Sequence, residues 1–294
     1  MVIFNSPLRY PGGKTVLAHF IAKVLEMNNL KNGVYIEPFA GGSGAALQLL
    51  FNGHVQRIIL NDADPCIFAF WNSILSQKNT FLDRLRETRI SISEWKKQRD
   101  IYNNHHRHSC IKVGFASFFL NRCNRSGILV NGGPIGGLQQ AGNWKLNARF
   151  NKKELIRRIE KISFYRDKII FYNMDAIKFL KQITKEQLIS ENALAYLDPP
   201  YYAKGNRLYL NYYQRKDHVK LAKFVNTQKT LKWIMSYDNV PEIHELYSNR
   251  DRRAFDLRYS AHTSKVGREL LMYSDKLMLP NSIYTSIKMP SIER

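Results

Sequence analysis

The sequence has few cysteines, few acidic residues for its length and no long apolar run. Its 294 residues include three cysteines, Cys66, Cys110 and Cys123. Because they are odd in number and widely spaced, they fit neither a disulfide framework nor a metal-ligand pattern, and we expect packing roles in a reducing cytosol. No run of about 18 apolar residues occurs, so we expect no membrane-spanning helix and no membrane partner. Pro7 and Pro11 interrupt an N-terminal segment without a secretory cleavage pattern, and we expect a cytoplasmic location.

Acidic residues are strongly outnumbered by basic ones. The chain carries 24 Asp and Glu against 45 Lys and Arg, which amounts to a net charge of +21 and a pI near 9.9. Such an excess favours a polyanionic partner, above all a nucleic acid. The alternative is that the charge only keeps the protein soluble. A hydrophobic content of 44% and an aromatic content of 12% indicate a folded chain with a buried core.

The order of strand and helix patterns predicts an α/β fold. In the N-terminal third, an apolar strand at Val34–Glu37 is followed by a glycine-rich turn, a helical pattern and a second strand at 57–62. This order predicts parallel strands joined by right-handed crossovers. Further strands are predicted at 169–173, 193–197 and 231–236, and an antiparallel edge hairpin is predicted from 255–259 and 269–273.

A different pattern separates the two α/β regions. Residues 66–150 are first helical and then irregular, and the loop 121–150 is rich in Gly, Asn, Arg and Gln. Long irregular segments in compact proteins are either functional or disordered, and the interleaved Arg and Trp residues favour a function here. We therefore predict a catalytic domain formed by 1–65 and 151–294, with an inserted recognition domain at 66–150.

The glycine-rich turn after the first strand predicts a nucleotide-type site, since ligands of open α/β sheets bind outside the carboxyl ends of the strands. Gly41 and Gly42 allow the backbone to pass close to a ligand. Asp62, at the end of the second strand, stands 20 residues after Gly42, a spacing at which a carboxylate accepts hydrogen bonds from ribose hydroxyls. The turn lacks the full dinucleotide fingerprint, and the PGGKT segment at 11–15 lacks the first glycine of a phosphate-binding loop.

The tetrapeptide of Asp198, Pro199, Pro200 and Tyr201 follows an apolar strand and predicts the catalytic centre. An exocyclic amine of a base is a poor nucleophile because its lone pair is delocalised into the ring. Two acceptors directed at its N–H bonds, here the Asp198 carboxylate and the Pro199 carbonyl, would localise that lone pair. The prolines stiffen the turn, and the ring of Tyr201 can stack on a base swung out of the duplex.

Together these motifs resemble the Dam-like adenine-N6 DNA methyltransferases of the alpha class, over nearly the whole chain and in the order of that family. The resemblance implies S-adenosyl-L-methionine as cofactor, no metal, base flipping and direct methyl transfer. It also implies a Rossmann-like seven-stranded, mostly parallel sheet whose last strand is antiparallel, with a mainly helical target-recognition domain inserted after the second strand. The implied cofactor-binding residues are Tyr10, Lys14, Glu37, Pro38, Phe39, Gly41, Gly42, Ser43, Asp62, Asp175 and Asp198.

The recognition region departs from the relatives that read GATC. Those relatives carry an aromatic residue, Asn-Gly and then an arginine, whereas this chain has Arg125-Ser-Gly127, and Val130 stands at the position of the guanine-reading arginine. GATC is therefore not the expected target. Base edges and phosphates are contacted mostly by Arg, Lys, Asn and Gln. Our predicted DNA contacts are Arg122, Asn124, Arg125, Gln139, Lys145, Arg149, Lys204, Lys265 and Arg268, although Arg122 has a structural alternative as a brace.

Three alternatives to adenine-N6 methylation of DNA remain open on the sequence alone. They are cytosine-N4 methylation, methylation of an RNA adenine, and a silent DNA-binding protein that has kept the fold. The aspartate at position 198 favours adenine, and the presence of Asp62 and Lys14 argues against a silent protein. The expected partner is double-stranded DNA, bound by a monomer. A separate restriction endonuclease acting on the same site is a further expected partner if the enzyme belongs to a restriction-modification system.

Overall fold

The computed structural model describes residues 5–9, 17–185, 192–202, 213–259, 265–275 and 277–281, with the backbone alone at 256–259 and 265–267. Seven strands form one sheet. They are β1 (Val34–Glu37), β2 (Arg57–Asn61), β3 (Ile169–Tyr172), β4 (Ala193–Leu197), β5 (Lys232–Asp238), β6 (Arg252–Tyr259) and β7 (Lys265–Tyr273). Each predicted strand is present; most bounds differ by at most two residues, whereas β6 and β7 begin three and four residues earlier than predicted.

The strand order in the sheet is β3-β2-β1-β4-β5-β7-β6. The first five strands run parallel to one another, whereas β7 is antiparallel to both β5 and β6. The prediction of a Rossmann-like, mostly parallel sheet whose last strand is antiparallel is confirmed. The predicted antiparallel edge hairpin is confirmed: β6 and β7 pair at one end of the sheet, with β6 as the edge strand and β7 between β5 and β6.

Ten α-helices surround this sheet within the described residues. They are α1 (Ala18–Met27), α2 (Gly44–Phe51), α3 (Pro65–Ser76), α4 (Lys78–Glu87), α5 (Ile92–Asn103), α6 (Cys110–Cys123), α7 (Lys152–Phe164), α8 (Ala176–Lys185), α9 (Arg215–Asn226) and α10 (Pro241–Leu246). Within these described ranges, no helix combines the length and the apolar character needed to cross a bilayer.

The middle of the sheet is built from strands that are buried on both faces. All five residues of β4 and four of the five in β2 are buried, which is why these segments are apolar without alternation. The chain passes from β1 outward through β2 and β3, then returns to β4 on the other side of β1. The carboxyl ends of β1 and β4 therefore form the point where the strand order reverses, the usual ligand position in open sheets.

The helices of the predicted recognition region pack directly on the rest of the protein. Asp64 caps α3 by accepting the backbone N–H of Cys66 at 2.7 Å, and proline occupies the first helical position. Phe70 of α3 stacks on Phe118 of α6 with 5.8 Å between ring centroids. The buried apolar residues of α3 to α6 are continuous with the core on one face of the sheet. The domain boundaries at 65/66 and 150/151 remain a prediction.

Candidate active site

The turn between β1 and α2 is held against the end of β2. Gly41 has a φ of 47°, and Ser43 also lies in the left-handed region with a φ of 48°. The Gly41 N–H donates to Oδ2 of Asp62 at 2.8 Å, and its carbonyl accepts the indole N–H of Trp71 at 2.9 Å. A non-glycine residue in the left-handed region is strained, and such strain concentrates at ligand-binding turns. The turn is thus a fixed backbone loop at the switch point.

Asn61, directly before the predicted ribose-binding Asp62, fastens two loops together. Its side-chain NH₂ donates to the carbonyls of Pro38 and Met174, each at 3.0 Å, and its Oδ1 accepts the Met174 N–H at 3.0 Å. It is fully buried. These bonds tie the loops after β1 and β3 to the end of β2, so that all three strand ends form one edge of the site.

Two carboxylates of this edge lie in a poorly solvated environment. Burial raises the pKa of Glu37 to about 8, and the nearby Asp198 adds to the shift. Burial, followed by the charge of Asp64, raises the pKa of Asp62 to about 7. Backbone N–H groups of Gly41 and Asp64 donate to Asp62 and partly oppose that shift. Desolvated carboxylates beside an open turn suit a ligand that brings hydroxyl donors and positive charge.

Asp175 has a structural role in addition to its predicted contact with the cofactor adenine. Its Oδ1 accepts the backbone N–H groups of Ile177 and Lys178 at 3.1 and 3.0 Å, and it thereby caps the start of α8. Tyr213 lies close by, with its ring edge-on to Phe39 at 5.7 Å between centroids. Burial, the charge of Asp175 and, more weakly, that of Asp62 raise the pKa of Tyr213. Tyr213 thus lies among the predicted cofactor contacts.

The tetrapeptide after β4 is held from β5 and β7. Asp198 is half-buried, both prolines are buried, and Ser236 Oγ donates to Asp198 Oδ1 at 3.0 Å. The Tyr201 hydroxyl donates to Glu269, a residue of β7 with only 1% exposure. One residue later, the N–H of Tyr202 donates to Oδ1 of Asp238 at 2.9 Å. The tetrapeptide and the residue after it are therefore fixed by side chains of β5 and β7.

Ser236 and Glu269 were absent from the sequence-based site. Ser236 is the last residue of the apolar run at 231–236, and Glu269 precedes the apolar residues of β7. A carboxylate in a strand that otherwise reads as buried is a signal for a paired polar group. Its partner was hidden, because Tyr201 and Glu269 are 68 residues apart in the chain.

The loop that follows α6 corrects one predicted DNA contact. Asn124 is fully buried: its Oδ1 accepts the indole N–H of Trp95 at 2.8 Å, and its NH₂ donates to the Ile128 carbonyl at 2.7 Å. These bonds give Asn124 a role in holding the loop together, and its buried side chain offers no accessible surface for a DNA contact in this structure.

Arg122 is also engaged inside the protein. Its Nε donates to the Arg149 carbonyl at 2.8 Å, and its Nη1 donates to the Pro7 carbonyl at 3.4 Å. It therefore braces the loop against the N-terminal segment, as its structural alternative anticipated. Its neighbour Asn121 is fully buried, accepts the Arg9 N–H at 2.6 Å and donates to the Arg9 carbonyl at 2.7 Å.

The other predicted DNA contacts of this region are exposed. Arg125, Gln139, Lys145 and Arg149 are accessible, and Arg149 lies 6.0 Å from the ring centroid of Trp144, which is 71% exposed. Arg268 on β7 is exposed as well, and Lys265 is described by its backbone alone. Tyr10, Lys14 and Lys204 lie outside the described residues. In the ranges that the structure describes, no three His, Cys, Asp or Glu side chains form a group that would hold a metal ion.

Comparisons with known proteins bear on the chain as a whole. Residues 10–266 match the family described as D12 class N6 adenine-specific DNA methyltransferase. A search of curated protein sequences finds no significant match. The S-adenosylmethionine-dependent methyltransferase from Agrobacterium tumefaciens is similar in structure, with 10% identity and a TM-score of 0.40, over 88% of this chain and 60% of that one. The rRNA methyltransferase aviRa from Streptomyces viridochromogenes has 11% identity and a TM-score of 0.35, over 86% and 82%.

This chain thus spans 60% of the length of the Agrobacterium protein. The family match, in contrast, extends from residue 10 to residue 266 and includes the glycine-rich turn, Asp62 and the tetrapeptide at Asp198. Because that match covers most of the chain, the protein belongs to the D12 class N6 adenine-specific DNA methyltransferase family.

Proposed function

We propose that the protein transfers a methyl group from S-adenosyl-L-methionine to the N6 atom of an adenine that is flipped out of double-stranded DNA. The observation that carries the proposal is the arrangement at the switch point. There, the half-buried Asp198, held by Ser236, follows β4 beside the turn that bonds Asp62. The family membership supports adenine as acceptor.

The residues on the cofactor side fit S-adenosyl-L-methionine. Gly41 passes the proposed site without a Cβ, and the Asp62 carboxylate is assigned the role of accepting hydrogen bonds from the ribose hydroxyls. Asp198 supplies negative charge to a cationic ligand, Glu37 lies beside it, and Pro38, Phe39, Gly42 and Ser43 complete the turn. When bound, the cofactor supplies a methyl group activated by a sulfonium. Asp175 is proposed to use the carboxylate oxygen that does not cap α8 to hold the adenine of the cofactor.

On the acceptor side, the chain's residues position and polarise the amine. Asp198 accepts one N–H of the exocyclic amine, and the carbonyl of the buried Pro199 accepts the other. These two acceptors draw the nitrogen toward tetrahedral geometry and direct its lone pair at the methyl group. The ring of Tyr201, whose hydroxyl is held by Glu269, stacks on the flipped base. Transfer forms the N–CH₃ bond as the S–CH₃ bond breaks, which leaves the cofactor as its neutral thioether, and the extra proton of the methylated amine then passes to water.

DNA binding is assigned to exposed basic and polar side chains of the loop at 125–149 and of β7. Arg125, Gln139, Lys145, Arg149 and Arg268 are the proposed contacts among residues whose side chains are described. Lys204 and Lys265 stay predictions, and Arg122 supports the loop from within. We propose a monomer, since each strand of a palindrome can be methylated in a separate event. A companion restriction endonuclease and a cytoplasmic location also remain predictions.

The test is the base modification found in DNA from a methylation-free host that expresses the protein. We expect a modified-adenine motif with the wild type and none with Asp198→Ala, which should keep its affinity for DNA. The matched control is Asp167→Ala, because Asp167 is 89% exposed and precedes β3 at the opposite end of the sheet. Modified cytosine, methylated RNA or an active Asp198→Ala variant would each contradict the proposal.

A further inference from the structure

A chain of hydrogen bonds reaches the catalytic carboxylate from inside the sheet. The Tyr196 hydroxyl lies 2.7 Å from Ser236 Oγ, and Ser236 Oγ lies 3.0 Å from Asp198 Oδ1. Tyr196 and Asp198 are two residues apart, so they share one face of β4 and its extension. Leu197 pairs with Met235, which places Ser236 opposite Asp198. The three side chains thus form a continuous path from β4 through β5 to the site.

The direction of this path follows from the number of protons. A serine hydroxyl has one proton, and an ionised carboxylate only accepts. Because Ser236 donates its proton to Asp198, it must accept from Tyr196, and the phenol is the donor at the start of the path. Burial raises the pKa of Tyr196 well above its ordinary value, so the phenol keeps the proton that it donates.

We propose that Ser236 and Tyr196 are positioning residues that hold the Asp198 carboxylate in the orientation needed to accept the adenine amine. This inference rests on the proposed function of Asp198. Ser236 is fully buried and Tyr196 is 2% exposed, so their bonds are shielded from water while the path ends at a half-buried carboxylate facing the site. Hydrogen bonds to a charged group are about twice as strong as neutral ones, and a donor that is itself hydrogen-bonded is polarised further.

The test is steady-state methylation of an adenine-containing duplex by Ser236→Ala, Tyr196→Phe and the double variant. Loss of a hydrogen bond to a charged group corresponds to a fall in kcat of about 10- to 100-fold for Ser236→Ala. Tyr196→Phe should lower kcat by about 3- to 10-fold, since it removes only the polarising donor. The KM values for DNA and for S-adenosylmethionine should stay within about twofold, because neither Ser236 nor Tyr196 contacts DNA or the cofactor in the proposed complex.

The double variant separates a path from two independent structural effects. Tyr196 acts through Ser236, so Ser236→Ala and the double variant should have the same kcat. The control is Ser274→Ala, which removes a buried hydroxyl that accepts the backbone N–H of Trp233 at the amino end of β5, away from the site. It should leave kcat unchanged. Should Ser236→Ala not fold, Tyr196→Phe alone decides, because it keeps the ring in the core.

Several outcomes would overturn the proposal. One is a kcat of Ser236→Ala within twofold of wild type. Another is a fall in kcat/KM that comes from a higher KM. The third is a double variant whose fall in kcat equals the product of the two single falls. If the wild type itself methylates no adenine, the proposed function has failed, and crystal structures of wild type and Ser236→Ala then decide. An Asp198 side chain that turns away in the variant supports the path, whereas an unchanged one contradicts it.

Discussion

Glu37 lies in a buried environment that its position at the end of a short strand does not reveal. It ends β1 as part of an unremarkable VYIE strand, yet it is 5% exposed and lies near Asp198. Its raised pKa means that the folded state holds the proton more tightly than the unfolded chain. The resulting stability is complete below pH 4.5 and is lost as the pH rises through about 8.

Replacing Glu37 by glutamine should therefore stabilise the cofactor-free protein at high pH. Glutamine avoids the buried charge, so we expect a gain on the order of 4 to 5 kcal/mol at pH 9 that shrinks toward pH 5. The measurement is the free energy of unfolding in urea across this range. Glu160→Gln, on the exposed face of α7, is the control and should show no such trend. A gain that is the same at every pH would refute the assignment.

Gly41→Ala tests the turn that is proposed to face the cofactor. With a φ of 47°, alanine at this position costs about 1–2 kcal/mol of backbone strain, in the turn that is proposed to face the cofactor. We expect the affinity for S-adenosylmethionine to fall at least about tenfold by calorimetry. Gly53→Ala carries a similar backbone strain, with a φ of 71° and open space around it, away from the site. If both variants bind S-adenosylmethionine with equal affinity, the turn is not part of the cofactor site.

At the scale of elements, the contact between α3 and α6 depends on one glycine. A Cβ at Gly114 would lie 2.3 Å from the Ala69 carbonyl oxygen and 2.5 Å from Ser73 Oγ. Backbone cannot retreat as a flexible side chain can, so the two helices approach closely only with glycine here. The sequence shows α6 as an apolar helix with an interior glycine, but the neighbouring helix is visible only in the fold.

Gly114→Ala should destabilise the protein by about 2 kcal/mol, even though alanine favours helix by up to about 1 kcal/mol. Urea unfolding of the purified variants measures this loss. The matched control is Gly133→Ala, because nothing lies within 4 Å of a Cβ at that position and its φ is not in the left-handed region. A Gly114→Ala variant as stable as the control would mean that α3 and α6 separate at little cost.

At the scale of the whole molecule, the charge of +21 predicts strongly salt-dependent DNA binding. With about six to ten phosphate contacts, the affinity should fall about 10³- to 10⁵-fold between 50 and 200 mM salt. Arg149→Ala should reduce the slope of log affinity against log salt by about one. Lys31→Ala is the control, since Lys31 pairs with Glu26 just before β1, at the end of the sheet away from the site. If the affinity for DNA does not change with salt, the positive charge serves solubility and not phosphate contacts.

The sequence by itself determined the sheet and the main motifs, because both are local. Apolar runs bounded by turns predicted the strands, and their order along the chain predicted parallel pairing around a switch point. The glycine-rich turn, Asp62 and Asp198 were found because each stands at a strand end, and strand ends of a parallel sheet share one edge. The position of β7 between β5 and β6 was not predicted, because the residue pattern of a strand does not show which two strands it pairs with.

Only the tertiary structure decided which polar residues serve the fold and which face the site. Asn124 was a predicted DNA contact, but in the fold its side-chain oxygen accepts the indole N–H of Trp95, 29 residues away. Ser236 acquires its significance from Asp198, 38 residues away. The role of a buried polar side chain depends on the donor or acceptor brought against it, and burial makes that partner obligatory. Such partners come from distant strands and loops, so local sequence identifies a polar residue while the fold assigns its function.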